Sequence, residues 1–415
     1  MSRIGAIRAT VCVVVFAATV FARGDARALA RDLFAGNELQ RIDLLLPAQQ
    51  WETLRQRYED DDYYRATLRW NGITIENAGI RSRGLGSRSG LKPGLRVDFG
   101  RFVPNQTFLG LRSLVLDNLT QDPSGIVESV AMRFYQRMGL AAPREAHAEL
   151  YVNGDYAGLY ALVESIDEDF IRRVFGGTGY VFEYEYESEW FFTRPADGIE
   201  AYRSLFDPVT HKRDDVTQLY SPLKDMVGVI NESPDSDFRS ALSPYLDLPL
   251  FMRHVAAQNF LGQWDGILGY AGANNFYLYR PDDSVRFQFI LWDEDNAFHA
   301  LDYPVLEGHE RNILMRRAMQ VAELRAAYFD ALLAAAASAT VVADEDGVGW
   351  LEHEIRRQRR LVAAALQADV FKPFPDAAVD RAADTLVEFA RWRPAFVRCQ
   401  VRRLTDPARA TAACP

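Results

Sequence analysis

Cysteine is scarce in this chain of 415 residues: there are three, and Cys12 lies in an N-terminal apolar run, which leaves Cys399 and Cys414. That excludes a disulfide-built scaffold, while the remaining two are close enough in sequence to staple the C-terminus in an oxidising compartment. Histidine is also sparse, at six, and no zinc-ligand spacing occurs. A Lys/Arg-rich block is missing, and the formal net charge of -10 argues against a sequence-independent hold on nucleic acid. Long apolar runs are missing as well. The longest, Ala9 to Ala22, falls short of the roughly 18 to 20 residues needed to span a bilayer. Preceded by Arg3 and Arg8 and followed by Ala28-Leu29-Ala30, it reads as a signal peptide over residues 1–30, cleaved near Ala30, so the protein is expected to be exported. No internal repeat and no Gly-x-Ser-x-Gly elbow is present.

What is present is a globular composition, 48% hydrophobic and 12% aromatic, with length enough for two lobes. Residues 258–299 concentrate the chemistry. Asp265 lies beyond a helical pattern that begins with Asp247 as N-cap and Pro249. Asn274 and Asn275 precede the aromatic run Phe276 to Tyr279, Pro281-Asp282-Asp283 forms a turn, and Phe287 to Leu291 leads into Asp293 and Asp295. The pattern is helix, loop and two-stranded hairpin, with the polar residues at element ends. If the second strand runs on, Asp293 and Asp295 share one face and offer oxygen ligands to a hard divalent cation such as Mg2+.

The first half reads mostly as strands and turns, with hairpins at Asn71-Gly72 and Asn153-Gly154. Between them, Arg83-Gly84-Leu85-Gly86-Ser87 and the following Arg and Lys residues could let backbone and cation approach a phosphate. Neither the Walker A pattern nor the dinucleotide fingerprint fits this turn. Ser124 to Met138 reads as an amphipathic helix with Ser124 as N-cap and Gly139 beyond its end.

An acid, an amide and a further acid in this order also occur in protein kinases, although His-Arg-Asp and Asp-Phe-Gly are both missing here. The chain instead resembles the spore coat protein H family of atypical kinases, over roughly residues 40–340. The resemblance rests on Trp264-Asp265, on Asn275 with Tyr277-Leu278-Tyr279, on Trp292-Asp293-Glu294-Asp295, and on the hairpin from Leu150 to Asp167. Gln263 stands where the family usually has Asn, and His299 where it usually has Gly.

The resemblance implies an α+β, atypical protein-kinase-like fold: a strand-rich, nucleotide-facing N-lobe over residues 31–163 and a helical C-lobe over 164–415. It implies ATP and Mg2+ (or Mn2+) as cofactors and transfer to a protein hydroxyl of Ser or Thr. Asp265 would be catalytic; Asn275 and Asp293 would hold the metal, supported by Asp295. Lys92 would contact the phosphates beside Arg83 and Ser87, Glu128 would be the helix carboxylate that pairs that lysine, and Glu164 would mark the hinge near adenine. The other class that the sequence leaves open is a catalytically inactive binding or structural protein of a spore coat, envelope or extracellular matrix.

Overall fold

A computed structural model describes residues 23–186, 188–196, 198–342, 347–406, 408 and 413–414. Arg3, Arg8 and the run from Ala9 to Ala22 lie outside them. Seven strands, β1 (Gln40–Leu45), β2 (Tyr64–Trp70), β3 (Ile73–Ser82), β4 (Leu95–Asp98), β5 (Ser113–Asp117), β6 (Glu145–Val152) and β7 (Asp155–Glu164), form a closed barrel. Their order is β1-β2-β3-β4-β5-β7-β6, and β6 completes the ring by pairing parallel with β1. Asn71 and Gly72, with φ of 44° and 78°, make the tight β2–β3 turn; Asn153 and Gly154, at 54° and 93°, do the same for β6–β7. These are backbone angles that Asn and Gly adopt far more readily than other residues. Alternation turns Ile42, Leu44, Leu68, Ile80, Val97 and Leu162 into the barrel core.

Three helices accompany the barrel: α1 (Arg23–Leu33), α2 (Ala48–Gln56) and α3 (Val127–Arg137). In α1, Ala30 and Leu33 are buried in the barrel cluster and Leu29 packs against it. The boundary expected at residue 30 falls inside this helix. The α3 helix is shorter than expected. Its N-terminus is closed by Asp122, not Ser124: Asp122 Oδ2 accepts from Val127 N at 2.7 Å, while Oδ1 accepts from the Ser124 amide.

The remaining chain is a four-stranded sheet, ordered β11-β10-β8-β9, set among helices. Its strands are β8 (Gly179–Tyr184), β9 (Phe206–Pro208), β10 (Phe276–Pro281) and β11 (Gln288–Leu291). The helices are α4 (Glu168–Val174), α5 (Ala201–Leu205), α6 (Val216–Glu232), α7 (Phe238–Leu242), α8 (Leu248–Leu261), α9 (Ile313–Gln320), α10 (Ala322–Thr340), α11 (Trp350–Ala368) and α12 (Asp376–Thr405). The fold is thus mixed α+β.

Outward-facing Val115, Ala161 and Val163 of the barrel meet Tyr277 and Ile290 of the sheet, and Trp292 just beyond it, in a separate apolar cluster. A division at residue 163 follows the chain more closely than the packing, because α3 belongs to the helical core; Phe134 stacks on Phe260 of α8 at 5.2 Å. Cys399 and Cys414 are joined in a disulfide. No helix among the described residues is long and apolar enough to cross a membrane.

Candidate active site

The α8 helix delivers Asp265. Asp247 caps its start by accepting from Leu250 N, and Gly262 ends it in the left-handed conformation at φ 66°. The last carbonyls of such a helix need donors. Arg393 of α12, fully buried, donates to the carbonyls of Asn259 and Phe260 and also to Tyr303 O. Beyond Gly262, Gln263 Oε1 accepts from Asp265 N, and Gln263 Nε2 donates to the Asp293 carbonyl. The residue that departs from the family's usual Asn therefore ties the two acidic loops together.

Asp265 is half-buried. Its Oδ2 accepts from Asn274 Nδ2 at 3.2 Å and Asn275 Nδ2 at 3.3 Å, and its carbonyl accepts from the same Asn275 amide at 3.0 Å. Burial pushes the Asp265 carboxyl up, and the two amide donors pull it partly back. Asn275 takes φ 57°, and its carbonyl accepts from Trp292 N, so it sits directly beside the acidic turn.

Asp293 and Asp295 come together by a route other than strand alternation. β11 stops at Leu291, and Asp293 is left-handed at φ 53°. The expectation that the strand continues through them is therefore corrected: the sharp turn, not the pleat, places the two Asp carboxyls in hydrogen-bonding contact. Burial raises Asp293 to about 6; Arg83 opposes this, while Asp117 and Asp265 add to it. Asp295 is raised further by burial and then by Asp293, Asp117, Asp122 and Asp265. Between them, Glu294 turns into the core, where its carboxylate accepts from Tyr135 OH at 2.7 Å and Gln258 Nε2 at 2.6 Å, anchoring the turn to α3 and α8.

Of the expected phosphate-binding residues, Arg83 reaches this site and Lys92 is engaged elsewhere. Arg83 Nη1 lies 3.5 Å from Asp117 Oδ2 and its guanidinium is 5.7 Å from the Trp292 ring. Burial alone would lower Arg83, but Asp117 and Asp293 outweigh it. Ser87 lines a small cavity with Asp117, Glu128 and Asp295, and its carbonyl accepts from Asn118 Nδ2. Lys92 Nζ instead forms a buried ion pair with Asp369 Oδ2 at 2.7 Å, in the segment after α11. Burial lowers Lys92 and Asp369 only partly restores it; Asp117 is the one site carboxylate acting on it.

Glu128 consequently does not pair with Lys92. Its closest charged neighbour in effect is Glu145, at the start of β6, and burial together with that like charge raises Glu128 well above the ordinary range. The Glu164 side chain is taken up as well: Arg144 and Arg173 both fork onto its carboxylate. With the Glu164 carboxylate taken up, a hinge role there would fall to the backbone between β7 and α4 and to Ser165, whose hydroxyl has no partner among the described residues.

Sequence reasoning missed Asp117, Glu145, Glu294, Asp369 and Arg393. The last three act on residues distant in sequence, and Asp117 and Glu145 look like ordinary strand ends. Hard oxygen donors whose carboxyls are pushed up by burial and by one another suit a small divalent cation. Among the described residues no three His, Cys, Asp or Glu side chains stand together as a metal site. A cation held by Asp293, Asp295 and the Asn275 amide would therefore complete its shell with water and phosphate, as Mg2+ commonly does.

The family model described as CotH kinase protein matches residues 80–397, which include every group above from Ile80 to Arg393. The chain belongs to the CotH kinase protein family. The inner spore coat protein H of Bacillus subtilis (strain 168) is 24% identical to it over 353 residues, 83% of this chain and 92% of that protein. The crystal structure of CtkA, a Helicobacter pylori proinflammatory kinase, aligns with TM-score 0.30 and 11% identity over 77% of this chain and 94% of its own. Within the CotH match lie both acidic loops, the Gly-rich turn, and the Asp369 and Arg393 contacts that hold them.

Proposed function

We propose that this CotH family member is an exported atypical kinase that transfers the γ-phosphoryl group of ATP to a Ser or Thr hydroxyl of a protein. In this reading the barrel half faces the nucleotide and the helical half presents the acceptor. The observation that carries it is the meeting of two loops, Asp265 held by Asn275 on one and the contacting pair Asp293 and Asp295 on the other, with the charge of Arg83 acting on Asp293.

Oδ2 of Asp265 is held by two amides, whereas Oδ1 has no hydrogen bond among the described residues, so Oδ1 is the atom to take the acceptor proton. Its raised carboxyl makes it a better base for that purpose. As the acceptor oxygen bonds to the γ-phosphorus, the bond to the β-phosphate oxygen breaks, and Arg83 steadies the charge that leaves. Mg2+ or Mn2+ on Asn275, Asp293 and Asp295 supplies further charge neutralisation there.

Export belongs to the same proposal, supported by the Arg-flanked apolar run and a disulfide that would persist outside the cytoplasm. A second reading, an inactive binding protein of a coat, envelope or matrix, draws support from the commitment of Lys92 to Asp369. Transfer of label from γ-radiolabelled ATP to the protein itself and to co-exported proteins separates the two. Labelling that Asp265→Ala abolishes supports the kinase; ATP binding without transfer supports the second reading, and no ATP binding with either Mg2+ or Mn2+ ends the first.

A further inference from the structure

The loop that carries Asp265 also lines an open cavity that no step above uses. Trp264, the residue before Asp265, and Tyr270 line it together with His299, Asp302, Tyr303 and Glu307 from the segment after the acidic turn. Its volume of about 490 Å³ is within the range of ligand clefts, roughly 300–1,000 Å³. The rings form a connected set: Trp264 is 5.0 Å from Tyr270 and 5.6 Å from His299, and His299 meets Tyr303 edge-on at 6.2 Å. Tyr270 is 58% exposed, a large ring left in water. Gln263 ties the cavity to Asp265, because its carbonyl accepts from Tyr303 OH at 3.4 Å while its Oε1 accepts from Asp265 N. Arg393 donates to the carbonyls of Leu301 and Tyr303, which fixes the second segment in place.

The lining carries two carboxylates and, among the described residues, no Lys or Arg. Glu307 is occupied by Arg311 at 3.0 Å, whereas the exposed Asp302 side chain makes no hydrogen bond or ion pair among the described residues. The cation on which its charge acts is Arg393, whose guanidinium is fully buried and spent on backbone carbonyls. Aromatic faces beside an unpaired carboxylate attract a cation, since the ring quadrupole adds to the charge, and a planar guanidinium also stacks on the rings. We infer that this cavity is a subsite for an Arg or Lys side chain of the acceptor protein, close in sequence to the hydroxyl that Asp265 engages. The inference rests on the kinase reading for its acceptor and adds the substrate class: a Ser or Thr with a basic neighbour. His299 supplies one of the rings, and Gly at that position would remove it.

The test uses the full chain and acetylated, amidated Ala/Gly peptides that carry a single Ser and, at each nearby position in turn, either Arg or Gln. Calorimetry without ATP reads binding, and label from γ-radiolabelled ATP reads transfer. At the favoured spacing the Arg peptide should bind roughly tenfold tighter than its Gln twin, and kcat/KM should favour it by a similar factor. Asp302→Asn and His299→Gly should each bring the twins to within about twofold of one another; both side chains are exposed, so neither change threatens folding. Twins that behave alike at every spacing overturn the subsite, whether or not they are labelled. A preference for Arg that both variants leave intact places the cation elsewhere and overturns it equally. Failure of the kinase reading looks different: the Arg preference in binding persists, Asp302→Asn removes it, and no peptide is labelled.

Discussion

Lys92 Nζ lies 2.7 Å from Asp369 Oδ2, with both side chains sealed from solvent, and Asp369 also accepts from the amides of Leu159 and Phe371. A buried pair of this kind is weak evidence of net stabilisation, but removing one partner leaves an uncompensated charge, at a cost of roughly 3–5 kcal/mol. Lys92→Met should therefore lower unfolding free energy by about that amount while leaving ATP affinity within a few-fold. Denaturant melts and calorimetry on one preparation check both. Loss of ATP binding at unchanged stability would return Lys92 to the phosphates.

The two acidic loops should fail differently. On the proposed assignment of Asp293 to the metal, Asp293→Ala should lower both ATP affinity and turnover. Asp265→Ala should spare affinity and lower transfer by roughly 10² or more, the scale of a positioned base. Equal transfer by wild type and Asp265→Ala would remove Asp265 from the chemistry.

His254 gives the pH prediction. Burial depresses its pKa to about 4, against an ordinary value near 6.5, and its Nε2 has no partner among the described residues. Below pH 6.5 the unfolded chain binds a proton that the folded one refuses, so stability should fall as pH drops from about 6.5 toward 4. Asp247 and Arg253 are the charged groups that act on it, from the same segment. His254→Phe should remove this component, and the difference between the two stability profiles over that window measures it. Parallel profiles would show that the imidazole does not titrate there.

Much of this was legible because it is local. Asn-Gly turns, the Asp247 cap and the order of Asp265, Asn275 and Asp293 are written within a few residues of one another, and their backbone demands are specific. The ion pair between Lys92 and Asp369 joins positions 277 apart in sequence, and no pattern near Lys92 announces its partner. The Asp293 turn was misread because aromatic and β-branched residues up to Leu291 look like a strand that continues; the left-handed residue is an Asp, which carries no distinctive signal. Glu145 sits in a run that alternates correctly for a barrel strand, so only the fold shows that its outward face is buried.

On the proposed export, the mature N-terminus is expected near Arg23, not Arg31. Cleavage near Ala30 would strip the first turns of α1 and the Leu29 and Ala30 contacts from the barrel, whereas Val20 and Ala22, two residues apart just before that helix, fit the spacing of a cleavage site after Ala22. Intact mass of exported material, before and after reduction, reads both the terminus and the Cys399–Cys414 bond. A mass beginning at Arg31 would restore the original boundary.

Barrel closure also bears on how the protein can be cut for laboratory work. The family match begins at Ile80, inside β3, so a fragment trimmed to residues 80–397 would lack β1, β2 and the cysteine at position 399. β6 would lose its parallel partner and β3 its hairpin partner, and the ring would become an open sheet with two bare edges. Unpaired edges recruit other chains. Such a fragment, though it keeps Asp265, Asp293 and Asp295, is expected to collect in inclusion bodies, while material starting at Arg23 stays monodisperse.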